Sequence, residues 1–388
     1  MTTRREFLHT SAVAAMMSRT ARVAAAKYDL LVKGGRIVDP GQRIDRVADV
    51  PIQGGRIAEI GSNIAATDAA DVIDARAKIV TPGLIDIHIH ATEQIPRFCL
   101  SNGVTAAVDA GSKGADNIEE VLTVAKSAPN RVRVLVNLSR RGNGSPDELL
   151  NLANADAAAS SRAIEQHRDL IVGVKARLSR TIAGANDLEC VRRAKEVTAP
   201  FKLPLMLHVG DTVSPLASIV ALLRPGDIVT HVYAPVNGIL DANGRVLPQF
   251  REARRRGVLF DFGNGRVEHF NWEVVEKALQ QDFLPDSISS DMTEAGKTDG
   301  VFDFPSVLSK FLMLGLTLDQ VIARATVNSA RAIAAFKDLG TLKRGAVADV
   351  AVFDLKEGDF EFVDNYKGKR TGRRKLVAQA VIVNGKRA

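Results

Sequence analysis

The stretch Val80 to His90, V-T-P-G-L-I-D-I-H-I-H, ends an apolar run in two histidines one residue apart. Side chains alternate between faces along an extended strand, so His88 and His90 point the same way, with Ile87 and Ile89 opposite. Two imidazoles side by side at the end of a buried strand suit a metal ligand pair; the plainer role is two hydrogen-bonded structural histidines. Groups of the same chemistry recur at comparable places. Lys175 ends L-I-V-G-V-K, His208 ends P-L-M-L-H, His231 ends D-I-V-T-H and Asp291 ends S-I-S-S-D. Alone, His208 or His231 would be a satisfied structural histidine and Asp291 a helix cap. Together they offer nitrogen and carboxylate donors at several strand ends facing one mouth, the requirement of a divalent metal site, with imidazoles suited to zinc-like ions. Lys175 poses a separate problem, because an unpaired ammonium at the end of an apolar strand is costly to bury. Of the seven histidines, only His9, His167 and His269 fall elsewhere.

The elements that position these residues follow from the same runs. Between Thr81 and Lys337 eight strand-like segments are predicted: Leu84–His90, Val104–Ala110, Val132–Leu138, Leu170–Lys175, Pro204–His208, Asp227–His231, Val258–Phe262 and Ser287–Asp291. Amphipathic stretches separate them, among them Ile118–Lys126, Leu188–Val197, Leu216–Leu223, Gln249–Arg256 and Val274–Gln281, with apolar residues at helical spacing. Alternating strand and helix over about 250 residues predicts a (β/α)₈ TIM barrel, whose chemistry gathers at the C-terminal strand ends. The competing doubly wound sheet lacks support, since no glycine-rich dinucleotide fingerprint follows the first strand. Short strands with glycine turns from Tyr28 to Ile79, repeated in style from Gly340 to Lys386, predict one small β-sandwich built from both ends of the chain. The expected division is therefore a leader over 1–26, sandwich over 27–80, metallohydrolase barrel over 81–337 and sandwich again over 338–388.

These motifs resemble the amidohydrolase superfamily of metal-dependent hydrolases. The resemblance rests on P-G-L-I-D-I-H-I-H, the strand-end lysine, two further histidines and the aspartate. Gly103 to Asn117 and Ser309 to Ile333 are similar to the amidohydrolase/deacetylase, or dihydroorotase-like, branch. The resemblance implies two divalent metal ions, zinc foremost, and a CO₂-derived carbamate on Lys175 bridging them. It implies that His88, His90 and Asp291 hold one ion and that His208 and His231 hold the other. A water between them, acidified toward hydroxide, would attack the substrate, with Asp291 as the catalytic base and then acid. The expected activity is cleavage of an amide or ester bond in a small acylated carboxylate: an N-acyl amino acid, an O-acetyl hydroxy acid or a dipeptide. The alternatives are a cyclic amide hydrolase of dihydroorotase or hydantoinase type and a non-enzymatic metal-binding scaffold. A single-metal deaminase is disfavoured by Lys175. A true dihydroorotase should carry an arginine just after the histidine pair, where this chain has Ala91, Thr92 and Glu93.

Substrate contacts follow from alternation. Arg177, two residues after Lys175, faces the same mouth and forms a fork for a carboxylate; the alternative is an ion pair with a loop acid. Tyr233, two after His231, is placed either to donate to a developing oxyanion or to pack. Asp109 ends the second strand, where it orients a histidine or caps a loop, and Arg140 and Arg141 read as solvated. In F-D-F-G-N-G-R-V-E-H-F, Asn264 stands where the branch leads one to expect a histidine, and His269 reads as a solvated loop residue.

Composition narrows the setting. The chain has 388 residues, 46% hydrophobic and 25% charged, an ordinary globular balance. T-R-R-E-F-L followed by alanines and methionines reads as a twin-arginine signal, predicting export to the periplasm rather than a cytoplasmic leader. The leader supplies +3 of the net charge of +7, leaving about +4, too little for a nucleic-acid partner. The basic run Lys367, Lys369, Arg370, Arg373, Arg374 and Lys375 reads as a solvated hairpin loop. Cys99 and Cys190 read as buried or free thiols. No membrane span is expected, the partner is a small molecule with a carboxylate, and barrels of this kind often form homo-oligomers.

Overall fold

The computed structural model describes residues 26–388, so the leader, save its last residue, lies outside them. Seven parallel strands follow one another in chain order: Leu84–Ile89, Val104–Gly114, Arg131–Asn137, Ile171–Arg177, Leu205–His208, Ile228–Thr230 and Leu259–Phe260. Helices such as Ile118–Ser127, Asp187–Thr198, Leu216–Ala221, Pro248–Arg255 and Trp272–Leu279 intervene where the spacing predicts them. Each crossover returns the chain to the same sheet edge, which is why neighbours run parallel.

The expected eighth strand differs from the other seven. Residues 287–292 close the ring through single bridges, Asp261 with Ser287 and Ile89 with Met292. The Asp291 N–H donates to His88 O at 2.7 Å, and the His90 N–H to Met292 O at 2.8 Å. No regular ladder forms because this segment spends its polar groups otherwise. Ser287 and Ser289 donate to buried Asp261, Ser290 donates to buried Asp86, and Asp291 adopts a left-handed φ of 53°.

Ile85, Ile87, Val108, Met206 and Ile228 form an apolar cluster with Ala330, Ile333 and Phe336. Met206 Sδ lies 3.6 Å from Lys175 Nζ, so this cluster is the floor beneath the lysine.

Both chain ends contribute the second sheet, as expected. Its eight strands form one connected sheet running from Lys386–Arg387 through Lys369–Val383, Val350–Val363, Ile79–Pro82, Tyr28–Asp39 and Ile44–Gln53 to Arg56–Ile57. Ala69–Asp74 pairs in addition with Tyr28–Asp39. Leu30, Val32, Ile37, Val50, Ile52, Val80, Val350 and Ile382 are buried as its core. Gly83 separates this sheet from the barrel's first strand, and a Cβ there would fall 2.1 Å from Thr105 Oγ1.

The basic run was expected as a loop, but most of it begins the strand Lys369–Val383. Cross-strand pairing with Val350–Val363 draws it in, and its charges find acids: Lys369 with Glu361 at 3.0 Å, Arg370 with Glu276 at 2.7 Å, and Arg373 with Asp359. Cys99 and Cys190 are buried free thiols, and no described helix is long and apolar enough to cross a membrane.

Candidate metal centre

The strand ends bring five of the six predicted ligands, His88, His90, Lys175, His208 and Asp291, to one cavity of about 390 Å³ that Arg177 and His269 also line, and His231 packs against His88 and His208. Alternation holds for the first pair. Both His88 Nε2 and His90 Nε2 approach Asp291 Oδ1, at 3.3 and 3.1 Å. His208 and His231 meet edge to face with ring centroids 4.5 Å apart, and His231 lies 5.1 Å from His88.

Each imidazole is oriented from behind. His88 Nδ1 meets Thr230 Oγ1 at 3.0 Å, and Thr230 donates to Asp261 at 2.7 Å. His90 Nδ1 meets Ser112 Oγ at 2.8 Å, and Ser112 donates to Asp109 at 2.6 Å. His231 Nδ1 donates to the Gly263 carbonyl at 2.7 Å, and His208 Nε2 meets Ser179 Oγ at 3.1 Å. These bonds leave Nε2 of His88, His90 and His231 and Nδ1 of His208 available to a ligand. Asp109 therefore does both jobs foreseen for it: it orients a histidine through Ser112 and caps the loop through the Ala91 N–H at 2.7 Å.

Protonation suits a cation. Burial pushes His88, His208 and His231 well below the usual imidazole range, reinforced by Lys175 near His88 and by His269 near the other two, so the rings are neutral. Burial opposes ionisation of Asp291, yet its imidazole neighbours, His88 first, hold the carboxyl well below the usual carboxylate range. Lys175 is 1% exposed and its Nζ lies 3.0 Å from His88 Nε2. Burial pushes it down to about 7, and no described carboxylate pairs with it. His231 Nε2 is buried without a hydrogen-bond partner. Neutral imidazoles, an ionised aspartate and an orphaned nitrogen fit a divalent cation far better than they fit one another.

Backbone strain marks the same place. His231 has φ of 62° and Asp291 of 53°, left-handed values that non-glycine residues hold only when their surroundings impose them. Gly111 admits Lys175: a Cβ there would fall 2.5 Å from Lys175 Cβ.

Two expectations need correction, and Asn264 gains a place. Tyr233 is fully buried and donates to the Phe283 carbonyl at 2.8 Å, away from the cavity. Its strand, Ile228–Thr230, stops before His231, whose left-handed turn cancels the alternation that would have aimed the tyrosine at the mouth. His269 is no solvated loop residue. It lines the cavity, stacks on His231 at 3.8 Å and sets Nδ1 3.1 Å from Asp291 Oδ2. Nothing in its irregular loop gave a periodic signal, though the G-N-G before it marks backbone in close approach; a Cβ on Gly265 would sit 1.7 Å from His269 Nδ1. Asn264 does not face the cavity at all. Buried, it accepts a hydrogen bond from buried Lys310 at 2.7 Å.

Arg177 does line the cavity, since Ile171–Arg177 persists as a strand, but it also makes the ion pair that was its alternative, Nη1 to Glu148 Oε2 at 2.8 Å. Arg140 is engaged by Asp116 and Asp156 at 2.8 and 3.2 Å, and Arg141 is exposed.

Comparison with known proteins agrees with this architecture. Residues 79–388 match the Amidohydrolase family. A deacetylase from Enterococcus faecalis is 31% identical over 369 residues, spanning 92% of this chain and 98% of its own. A solved adenine deaminase aligns with a TM-score of 0.85 at 30% identity, covering 93% of this chain and 99% of its own. A solved dihydroorotase follows with 0.83 at 26% identity, covering 92% and 97%. Metal-ready side chains on barrel strand ends and a family match across the barrel lead to one conclusion: the chain belongs to the Amidohydrolase family and is a hydrolase.

Proposed function

We propose that the chain is a binuclear metal-dependent hydrolase that cleaves an amide or ester bond in a small acylated carboxylate, such as an N-acyl amino acid, an O-acetyl hydroxy acid or a dipeptide. The observation that carries this is Lys175, buried at 1% exposure among four histidines and Asp291 with no acid paired to it. A carbamate formed with CO₂ would replace that buried cation by an anion, the charge a pair of dications calls for. His88, His90 and Asp291 would hold one ion and His208 and His231 the other. Such ions, zinc foremost, acidify a water and polarise a scissile carbonyl.

The chain's own groups do the rest. Asp291, within 3.3 Å of His88 and His90, is placed to take a proton from the attacking water at a carboxylate oxygen and return it to the leaving nitrogen or oxygen. Arg177 faces the cavity with part of its fork spent on Glu148, so a substrate carboxylate would meet a guanidinium already held in place. The deacetylase name of the Enterococcus relative accords with this substrate class.

The first test is metal content. Purified protein should carry close to two ions, and Lys175→Ala should lose at least one; less than about half an equivalent in the parent, or unchanged content in the variant, overturns the reading. Substrate class is tested by a hydrolysis screen of acylated carboxylates of both hands, with adenine and dihydroorotate included because solved relatives bear those names. In the same assay Arg177→Met should raise KM for anionic substrates and barely alter it for neutral esters. Equal effects on both would remove Arg177 from carboxylate binding.

A further inference from the structure

His269 lies outside the ligand set assigned above, yet it is built into the centre. Its Nδ1 is buried and without a hydrogen bond, 3.1 Å from Asp291 Oδ2 but not aligned for one. His231 Nε2 is buried and unbonded beside it. The His269 ring stacks on His231 at 3.8 Å and meets His208 edge-on at 5.1 Å. One ligand atom from each of His208, His231 and His269 lies within 4.8 Å of the others. Small ring rotations bring such a trio onto one ion with nitrogens at about 2.0–2.1 Å.

The loop that carries His269 is fixed from outside the barrel. The N–H groups of His269 and Phe270 donate to Asn365 Oδ1 at 2.8 and 3.0 Å, and Asn365 Nδ2 donates to the Gly265 carbonyl at 3.2 Å. Asn365 thus clamps both ends of the loop, and the missing side chain at Gly265 leaves the room that His269 fills. A side chain held this way, with a ring nitrogen within 4.8 Å of a ligand atom of each of two other imidazoles, has the attributes of a ligand rather than of a surface histidine.

We propose that His269 is a metal ligand, completing with His208 and His231 a three-imidazole set that holds one divalent ion independently of Lys175. Three imidazole nitrogens would satisfy a zinc-like ion without CO₂. Loading is therefore ordered: one ion enters on the imidazoles, and the other enters when Lys175 is modified. This rests on the binuclear reading above, and the test separates the two.

Zinc affinity is measured by chelator competition on metal-free protein in CO₂-free buffer, for the parent, Lys175→Ala, His269→Gln and the double variant. Lys175→Ala should keep one tight ion, and adding His269→Gln should weaken it at least about tenfold. An ion that stays equally tight in the double variant overturns the inference, as does a Lys175→Ala protein that binds none. Two tight ions in Lys175→Ala would instead sink the carbamate reading. In every case the unsubstituted protein loaded with one equivalent of cobalt gives a second readout that needs no variant. X-ray absorption should count three imidazoles; two imidazoles with a carboxylate would place the ion on His88, His90 and Asp291 and overturn the role of His269.

Discussion

The two histidine pairs of the centre are supported in different ways. Behind His88 stands Thr230 and then Asp261, which also takes Ser287 and Ser289; behind His90 stands Ser112 and then Asp109. Each relay ends on a fully buried carboxylate. His231 leans on a backbone carbonyl and His208 on a single hydroxyl, with no described carboxylate behind either. Any such partner fixes the tautomer and orientation of an imidazole, and a carboxylate at the end of the relay adds a negative charge that raises its basicity further. The first pair is thus backed by buried carboxylates, and the second by neutral partners, with His208 on a strand end and His231 in a left-handed conformation that its surroundings impose.

The largest break comes from Asp291, which joins the first pair to His269. Asp291→Asn should lower kcat by about 10²- to 10⁴-fold while metal stays bound, measured by steady-state kinetics alongside metal analysis. Intact turnover would leave the aspartate only a ligand. The comparison itself is sharpened by Asp261→Asn against Ser179→Ala. Loss of the carboxylate should weaken zinc about 10- to 100-fold, and loss of the hydroxyl about fivefold or less, both by chelator competition. Equal losses would erase the distinction between the halves. Smallest of all, Tyr233→Phe should leave kcat/KM unchanged and cost about 1 kcal/mol in urea unfolding, because it strips a hydrogen bond from the Phe283 carbonyl.

What the sequence displayed and what it hid follow one physical rule. His88, His90, Lys175 and Arg177 were legible because alternation holds locally over His88–His90 and Lys175–Arg177, although register shifts interrupt both strands and Ile87 packs with Ile85 in the interior cluster. The oxyanion role considered for Tyr233 failed and its packing alternative held, because alternation stops at a left-handed His231 and no local signal announces that turn. Asp291 was placed by the same strand logic, although its segment closes the ring by isolated bridges rather than a ladder. His269 was missed for a different reason. Its position is dictated by Asn365, nearly a hundred residues later, and a contact of that range leaves no periodic trace. The basic run showed charge but not the acids across the hairpin that pull it into a strand.

The hairpin of Val350–Val363 and Lys369–Val383 carries a consequence for how the protein matures. Its tip holds the His269 loop, yet it follows the whole barrel in the order of synthesis. A nascent barrel has His88, His90, Lys175, His208, His231 and Asp291 in hand while the clamp on His269 is still to come. On the proposed role of His269, firm retention of an ion would require the closing sheet to have docked. If His269 is a ligand, a chain released before that point would hold its metal less tightly than a finished one.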